Sequence, residues 1–345
     1  MKVINPTIKL DGLKALTDDT GILQHTKFSI PNRKEGYTVD DNARALIACV
    51  RFLQLHNDSE ARRLANTYLS FLFHMQRPDG KFHNLLSFDR VFLDDVGSEE
   101  CMGRALWACG YAISTGFSEG IKCTSKEIFD KGFQHVSNFK SLRTKAFTIL
   151  GLCHYYEAFC HDQNLPKNIV SLTNQLIQGY QYFSSADWRW FEPYLTYANG
   201  RLSQALFRAY DIVGDDRYLQ IARDSLDFLV KLQVIDDRFV PIGNKGWYKR
   251  DVHRALYDQQ PIEASCMVEA AVTGFRVTKE KRYQRVAHTA FDWFLGKNSK
   301  NVRVCDPNTG ACYDGITPHG LNLNQGAEAT IAYLLASLEL ETLSE

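Results

Sequence analysis

The chain has 345 residues, of which 45% are hydrophobic and 12% aromatic, so a large buried core is expected and disorder is excluded. Lysine plus arginine and aspartate plus glutamate each number 40, so the chain lacks the basic excess that a nucleic-acid backbone attracts. No apolar run approaches the roughly 20 residues of a membrane span, and no metal-ligand spacing of cysteine and histidine appears. We expect a cytoplasmic protein without metal or cofactor, and with neither nucleic acid nor membrane as partner.

Helices of two kinds alternate after an irregular N-terminal segment, residues 1–36. The first kind begins with polar residues and continues in small apolar ones, which is typical of a helix buried on all sides. Its six members begin near residues 41, 99, 143, 199, 261 and 325. The second kind carries one apolar stripe and predicts surface helices at 59–76, 125–139, 167–183, 215–233 and 280–297.

This alternation predicts an all-α fold, an (α/α)6 toroid of six inner and outer helices that forms a single domain over 1–345. Only five outer helices are explicit, so the sixth is built from residues 1–36 or is missing. An open superhelical solenoid is the alternative, but the spacing of the inner helices is less regular than solenoid repeats usually are. Four non-helical inserts precede inner helices and predict short β-hairpins at one end of the toroid, at 79–98, 184–198, 236–260 and 302–324.

The first turns of the inner helices face a common funnel in such a toroid, and the inserts add aromatic residues to it. Acids, amides, arginines and indoles together suit a sugar, because its hydroxyls pair with polar groups while its C–H faces lie on rings. We therefore predict sugar contacts at Asp40, Arg44, Glu100, Arg104, Trp188, Trp190, Tyr197, Asn199, Trp247, Asp258, Gln259, Gln260, His319 and Glu328. Acids at helix starts also serve as caps, and the two tryptophans of WRWFEP can instead plug the rim.

The stretch YDQQPIEA, residues 257–264, gives the strongest indication of ligand binding. Pro261 suits the first position of a helix, since its missing N–H would have been unpaired there. The adjacent amides Gln259 and Gln260 are poorly suited to a core and are poor helix caps. We expect them to contact a ligand.

The segments TVDDNAR, EECMGRALWA, FEPYLTYANGRLSQAL, YDQQPIEA and NQGAEATIAYL resemble those of helical six-hairpin glycosidase-type domains, which occur alone or beside bacterial glycosyltransferase modules. The resemblance covers most of the chain. It implies an (α/α)6 carbohydrate-active protein that acts on an oligosaccharide or sugar, with a glycosyltransferase as a candidate partner. It supplies no catalytic pair for these positions, so the catalytic residues are argued from chemistry.

Glycoside hydrolysis needs a protonated carboxylic acid at the leaving oxygen and a second carboxylate that activates water or attacks the sugar. We predict Glu192 as the acid, because its aromatic neighbours favour the protonated form, and Asp41 or Glu263 as the base. Acids on different helices lie far apart, which favours inversion. Two alternatives stay open: a sugar 2-epimerase or isomerase with His253 and His319 as proton carriers, and a non-catalytic glycan-binding domain.

The nine cysteines fit a reduced protein. Five of them lie among alanine and glycine in the buried runs, where cysteine acts as a small hydrophobe. Cys305 and Cys312 flank a loop and can pair if oxidised, which the sequence leaves open because it shows no geometry.

Overall fold

The computed structural model describes residues 7–160 and 164–343, which are mainly helical. Their α-helices, in chain order, are α1 (Asp11–Leu16), α2 (Val39–His56), α3 (Ser59–Met75), α4 (Glu99–Ser114), α5 (Glu119–Phe133), α6 (Leu142–Ala158), α7 (Leu165–Phe183), α8 (Gly200–Val213), α9 (Asp216–Gln233), α10 (Pro261–Thr278), α11 (Lys281–Asp292) and α12 (Ala327–Glu341). Short 3-10 turns lie at Arg33–Glu35 and Val136–Asn138. The predicted all-α class is confirmed.

The inner helices are α2, α4, α6, α8, α10 and α12, and each begins within two residues of its predicted start. Each packs against the next, and α12 packs against α2, which closes the ring. The Arg51 guanidinium on α2 spans this last contact, because its Nη1 donates to the Leu335 carbonyl at 3.5 Å and lies 2.6 Å from Glu339 Oε2. Ring closure confirms the (α/α)6 toroid and excludes the open solenoid.

The outer helices are α3, α5, α7, α9 and α11, and the short α1 packs on α12 as the sixth. The N-terminal segment therefore supplies the missing outer element. The predicted start of α5 at Ser125 is wrong, because Ser125 is buried inside a helix that begins at Glu119. Ile121 extends the buried stripe of Ile128 and Phe129 by two turns towards the N-terminus of α5.

Side-chain caps place polar residues at the mouth of the ring. Thr38, Ser98 and Ser141 each accept a hydrogen bond from a backbone N–H in the first turn of α2, α4 and α6. The first turns of α2 and α4 also carry paired acids, which the helix dipole favours. Pro261 opens α10, as predicted.

The strands are two or three residues long and form five antiparallel pairs in the described part of the chain. They are β1 (Thr26–Lys27), β2 (Ile30–Pro31), β3 (Tyr37–Thr38), β4 (Leu85–Leu86), β5 (Tyr194–Leu195), β6 (Val234–Ile235), β7 (Arg238–Phe239), β8 (Tyr248–Lys249), β9 (Gly315–Thr317) and β10 (Gly320–Asn322). Hairpins form between β1 and β2, β6 and β7, and β9 and β10, whereas β3 pairs with β4 and β5 with β8. The second insert thus forms no hairpin of its own but pairs through β5 with β8 of the third insert, which also carries β7 of the β6–β7 hairpin.

Across residues 7–160 and 164–343, no helix combines the length and the apolar character that crossing a bilayer requires.

Candidate active site

A cavity of about 590 Å³ opens where the first turns of α2, α10 and α12 meet the N-terminal segment and the inserts. This size suits a small-molecule ligand. Five carboxylates line it, those of Asp40, Asp41, Asp258, Asp314 and Glu328. Six carboxamides also line it, those of Gln24, Asn84, Asn244, Gln259, Gln260 and Asn322. Arg44, His25, Thr38 and Thr317 complete its polar surface.

Arg44 joins the starts of two inner helices across the cavity wall. Its Nη2 lies 2.8 Å from Asp41 Oδ1, and its Nη1 lies 3.2 Å from Glu328 Oε2 on α12. The second oxygen of Asp41 accepts a hydrogen bond of 2.8 Å from the Thr38 hydroxyl. Burial raises the pKa of Asp41, while the Arg44 guanidinium opposes that rise. Both Asp41 oxygens are therefore engaged, whereas Glu328 keeps a partly exposed carboxylate.

Asp40 has the carboxyl group best suited to hold a proton at this cavity. Burial raises its pKa, although the nearby Arg104 and Arg44 guanidinium groups oppose the rise. Arg104 Nε lies 3.6 Å from Asp40 Oδ1, and that oxygen has no hydrogen-bond partner among the described residues. Asp40 is thus a partly desolvated acid with one buried oxygen beside Arg104, and its side chain is still 31% exposed.

Asp314 is the third cavity acid whose pKa burial raises. Its Oδ1 accepts a hydrogen bond of 2.7 Å from the Gly326 N–H, just before α12. The backbone of Asp314 also binds this segment, because its N–H donates to the Asn324 carbonyl at 2.8 Å. Asp314 therefore holds the last insert against the start of α12.

The N-terminal segment forms one wall of the cavity by binding residues almost 300 positions away. The Gln325 N–H donates to the Phe28 carbonyl at 2.9 Å and to the Thr26 hydroxyl at 2.8 Å. The Ala327 N–H donates to the Gln24 carbonyl at 3.1 Å. These bonds bring Gln24 and His25 to the cavity.

A second cluster of polar residues, outside the lining of this cavity, links α4 and α6 to the second insert. Glu100 Oε1 lies 2.6 Å from Arg104 Nη2, and its Oε2 accepts a 2.6 Å hydrogen bond from the Tyr197 hydroxyl. Arg143 Nη1 on α6 lies 2.8 Å from Glu192 Oε2, and its Nε donates to the Tyr197 carbonyl at 2.7 Å. Burial acts to raise the pKa of Glu100, but Arg104 and Tyr197 outweigh it and lower that pKa.

Glu263 extends this cluster of polar residues to α10. Its Oε2 accepts a 2.8 Å hydrogen bond from Asn199 Nδ2, and its Oε1 accepts one from the Ala198 N–H. Burial raises the pKa of Glu263 to about 7, although these hydrogen bonds favour the carboxylate. Glu263 thus anchors the second insert.

Comparison with known proteins identifies the architecture. Neither a protein-family model nor a curated protein sequence matches the chain. Among solved structures, the cellobiose 2-epimerase from Bacillus thermoamylovorans B4167 is similar, with 13% identity, a TM-score of 0.76, and 98% of this chain and 96% of that chain covered. The chain has an (α/α)6 glycosidase-like fold.

A second group of glycosidase-like toroids has the same fold. The GH76A alpha-1,6-mannanase from Salegentibacter sp. HEL1_6 is 9% identical, with a TM-score of 0.68 and 96% of each chain covered. An inactive variant of that enzyme, with two consecutive aspartates replaced by alanine, was solved in complex with alpha-1,6-mannotetrose and is also similar. At such identities, the likeness concerns the fold alone.

The structure divides the predicted site residues into two sets. Asp40, Asp41, Arg44, Asp258, Gln259, Gln260 and Glu328 line the cavity. The cavity lining does not include Glu100, Arg104, Trp188, Trp190, Glu192, Tyr197, Asn199, Trp247, Glu263 or His319. Two of the three predicted catalytic residues, Glu192 and Glu263, therefore serve the polar network around the second insert.

The indole rings of Trp188 and Trp190 belong to the core, contrary to their predicted role as a sugar platform. Their residues are 3% and 0% exposed, and both rings pack on Phe228 of α9. Trp188 Nε1 also donates to the Glu192 carbonyl at 2.8 Å. Both rings therefore fill the rim of the toroid, which is the alternative role predicted for the two tryptophans of WRWFEP.

Gln259 likewise uses its side chain within the protein. Its Nε2 donates to the Leu256 carbonyl and to Ser299 Oγ, and its Oε1 accepts from Trp293 Nε1 at 3.1 Å. Its backbone pairs with Ile316 of β9 through two hydrogen bonds of 3.0 Å. Gln259 positions the β9–β10 hairpin at the cavity, so Gln260 and Asp258 are the better ligand contacts of this stretch.

Several cavity residues were missed by sequence reasoning. Gln24, His25, Thr38, Asn84, Asn244, Thr317 and Asn322 lie in loops, at caps or in short strands. The signal that could have found five of the cavity residues is their place in the predicted inserts: Asn84, Asn244, Asp314, Thr317 and Asn322. The segment that carries His25 has no periodic pattern, and only its pairing with residues 324–327 places it at the site.

Proposed function

We propose that this protein is a glycoside hydrolase that cleaves an oligosaccharide with a pair of cavity carboxylates. One observation carries the proposal: five carboxylates and, besides the internally bonded Gln259, five carboxamides converge on one cavity at the inner-helix starts. Carboxamides pair with sugar hydroxyls as both donors and acceptors, and two carboxyl groups are what glycosidic cleavage requires.

Asp40 is proposed as the general acid. Its pKa is raised by burial while its side chain stays 31% exposed and lines the cavity, which suits proton donation to the leaving oxygen. Glu328 is proposed as the base or nucleophile, because its side chain is 42% exposed at the cavity and Arg44 fixes its orientation. Asp41 holds Arg44 and is a positioning residue in this scheme.

The comparisons support an oligosaccharide substrate. One similar structure is a mannanase variant in complex with alpha-1,6-mannotetrose, in which replacement of two consecutive aspartates accompanies inactivity. This chain also carries consecutive aspartates, Asp40 and Asp41, at an inner-helix start. Inversion stays a prediction, which NMR of the anomer first released will test. A cytoplasmic location and a glycosyltransferase partner also stay predictions, for fractionation and co-purification to test.

A sugar 2-epimerase or isomerase is the second candidate. Similar structures include cellobiose 2-epimerases and a D-mannose isomerase. His25 lines the cavity together with Asp41 and Asp314. His253 and His319, the predicted proton carriers, are exposed and do not line this cavity. Within the described residues, His25 is thus the single histidine of the lining, which favours hydrolysis.

The test is incubation of the protein with a panel of oligosaccharides, followed by chromatography. Hydrolysis releases shorter reducing sugars, whereas epimerisation changes the sugar without changing its length. An oligosaccharide that binds the protein but is recovered unchanged indicates binding alone. We expect Asp40→Asn and Glu328→Gln each to lower the rate by about 10²-fold or more, because each removes a proton-transfer or nucleophilic group.

Circular dichroism will show whether these variants fold. Glu127→Gln is the matched control, since Glu127 lies on outer helix α5 in an exposed pair with Lys131. An Asp40→Asn variant that folds and keeps the full rate would remove Asp40 from the mechanism.

A further inference from the structure

Cys305 and Cys312 face each other across the last insert. The two residues pair with each other in an isolated antiparallel β-bridge, which lies in the chain segment between α11 and β9. The hydrogen bonds around them run from the Asp306 N–H to the Ala311 carbonyl at 2.8 Å and from the Tyr313 N–H to the Val304 carbonyl at 2.9 Å. Since these bonds join the neighbours of the two cysteines, the cysteines form a non-hydrogen-bonded pair.

The position of this pair suits a disulfide. Directly opposed residues of a non-hydrogen-bonded antiparallel pair have Cα atoms about 4.5 Å apart. Disulfides span Cα separations of about 4.4 to 6.8 Å, so closing the bond requires little backbone movement. Both cysteines are free thiols in this structure.

We propose that Cys305 and Cys312 are a redox site, which a low-molecular-weight disulfide converts into a cross-strand disulfide. The thiolate of one cysteine attacks the small disulfide, forming a mixed disulfide and releasing one thiolate. The second cysteine then attacks the protein sulfur of that mixed disulfide and releases the second small thiol. Two protein thiols are oxidised to one disulfide, and one small disulfide is reduced to two thiols.

The surroundings make this reaction slow and selective. Cys305 and Cys312 are 2% and 0% exposed, and burial raises the pKa of both thiols. Pro307 and Asn308, in the turn between them, are exposed, so a local opening of this turn gives access. Because the thiolate is the reacting form, we expect oxidation to accelerate as the pH rises from 7 to 9.

The Cys305–Cys312 disulfide would restrict the motion of the last insert, which reaches the cavity. Asp314 lines the cavity two residues after Cys312, and the Gly12 N–H at α1 binds the Thr309 carbonyl of the turn at 2.8 Å. A disulfide that closes so short a loop reduces the entropy of the unfolded chain. We expect oxidation to raise the melting temperature of this protein by roughly 3 °C.

The test uses the full chain, oxidised glutathione and tryptic mass spectrometry. No lysine or arginine follows Arg303, so both cysteines fall in one tryptic peptide, 304–345. After oxidation and denaturing alkylation, this peptide is expected to carry no alkyl group and to be about 2 Da lighter than the unmodified dithiol. Prior reduction with dithiothreitol restores two alkyl groups.

Two other peptides of the same digest are internal controls. Cys49 lies buried alone in peptide 45–51 and stays alkylated, whereas the exposed Cys123 in peptide 123–126 forms a mixed disulfide with glutathione. If Cys123 reacts while peptide 304–345 still takes two alkyl groups, the proposed site is refuted. If the disulfide forms but the melting temperature of a Cys123→Ser variant is unchanged on oxidation, the proposed stabilising effect of the disulfide is refuted.

Discussion

The Glu263 carboxyl group shows how one residue's role follows from its partners. It lies in the first turn of α10 and was predicted as a catalytic base, yet both oxygens bind the turn before α8. Ala198 in that turn has a φ of 51°, which costs energy for a residue other than glycine. The hydrogen bond from its N–H to Glu263 offsets part of that cost, so Glu263 is a positioning residue for the second insert.

The raised pKa of Glu263 makes protein stability depend on pH. In the folded protein this pKa is about 7, against an ordinary value of 4.5. The contribution of Glu263 to stability is therefore complete below about pH 4.5 and is lost as the pH rises through 7. The difference corresponds to about 3 kcal/mol.

The measurement is urea unfolding of the wild type and of Glu263→Gln from pH 4.5 to 8. The glutamine of the variant stays neutral, so the free energy of unfolding of the variant is expected to fall less across this pH range. The difference between the two pH profiles gives the contribution of Glu263 apart from those of Asp40, Asp41 and Asp314. Glu127→Gln on the surface should retain the wild-type profile. Parallel profiles for wild type and Glu263→Gln would contradict the assignment.

Sequence reasoning located acids at helix starts but could not rank them. Asp40 and Asp41 are adjacent, yet one keeps an unpaired oxygen and the other has both oxygens bound. Glu192 stands among aromatic residues as predicted, but its carboxylate forms an ion pair of 2.8 Å with Arg143 of α6. Such partners come from distant parts of the chain, and no local pattern shows them.

At the scale of elements, α4 and α6 approach each other through glycines. A Cβ atom on Gly110 would overlap the Gly151 carbonyl oxygen, and one on Gly103 would lie 2.9 Å from the Thr144 carbonyl oxygen. Glycine is therefore required for this packing, which holds together the two helices that carry Arg104 and Arg143.

Gly110→Ala is expected to lower the free energy of unfolding by about 1–3 kcal/mol, because the added methyl group forces the two backbones apart. Chemical denaturation will measure the change. Gly120→Ala in α5 is the matched control, since its Cβ would meet its nearest atom at 3.7 Å and alanine favours a helix by about 0.5–1 kcal/mol. Equal effects of the two substitutions would exclude close packing as the cause.

The elements themselves were largely predictable from the chain. Small residues mark the inner helices and single apolar stripes mark the outer ones, so inner starts agree within two residues. The inserts were less predictable, because β5 pairs with β8 from another insert. Pairs of two residues leave no periodicity to detect, and tertiary contacts decide them.

At the scale of the whole molecule, buried charges join the inner helices at the centre of the ring. Arg51 of α2 lies 2.6 Å from Glu339 of α12 and 3.8 Å from Glu269 of α10. Arg201 of α8 binds Glu269 with two bonds of 2.7 Å. Four inner helices thus share one ionic cluster, which depends on the closed ring.

Arg51→Met is expected to destabilise the protein by about 3 kcal/mol or more, because it leaves buried carboxylates with too little positive charge. The free energy of unfolding in urea is the measurement. Lys297→Met provides the comparison, since Lys297 pairs with Asp292 at the surface and its loss is expected to cost less than about 1 kcal/mol. Similar losses in both variants would show that the central cluster contributes no more than a surface pair.

Ring closure has a further consequence for the order of folding. Arg51 and the Leu335 carbonyl meet across 284 positions, whereas each helical hairpin is made of local contacts. Local contacts form fastest, and contacts of large sequence separation form late because loop closure costs entropy. During synthesis, the flank of α2 therefore stays uncovered until α12 emerges. Since Glu328 arrives with α12, the proposed carboxylate pair is assembled only by this last docking step.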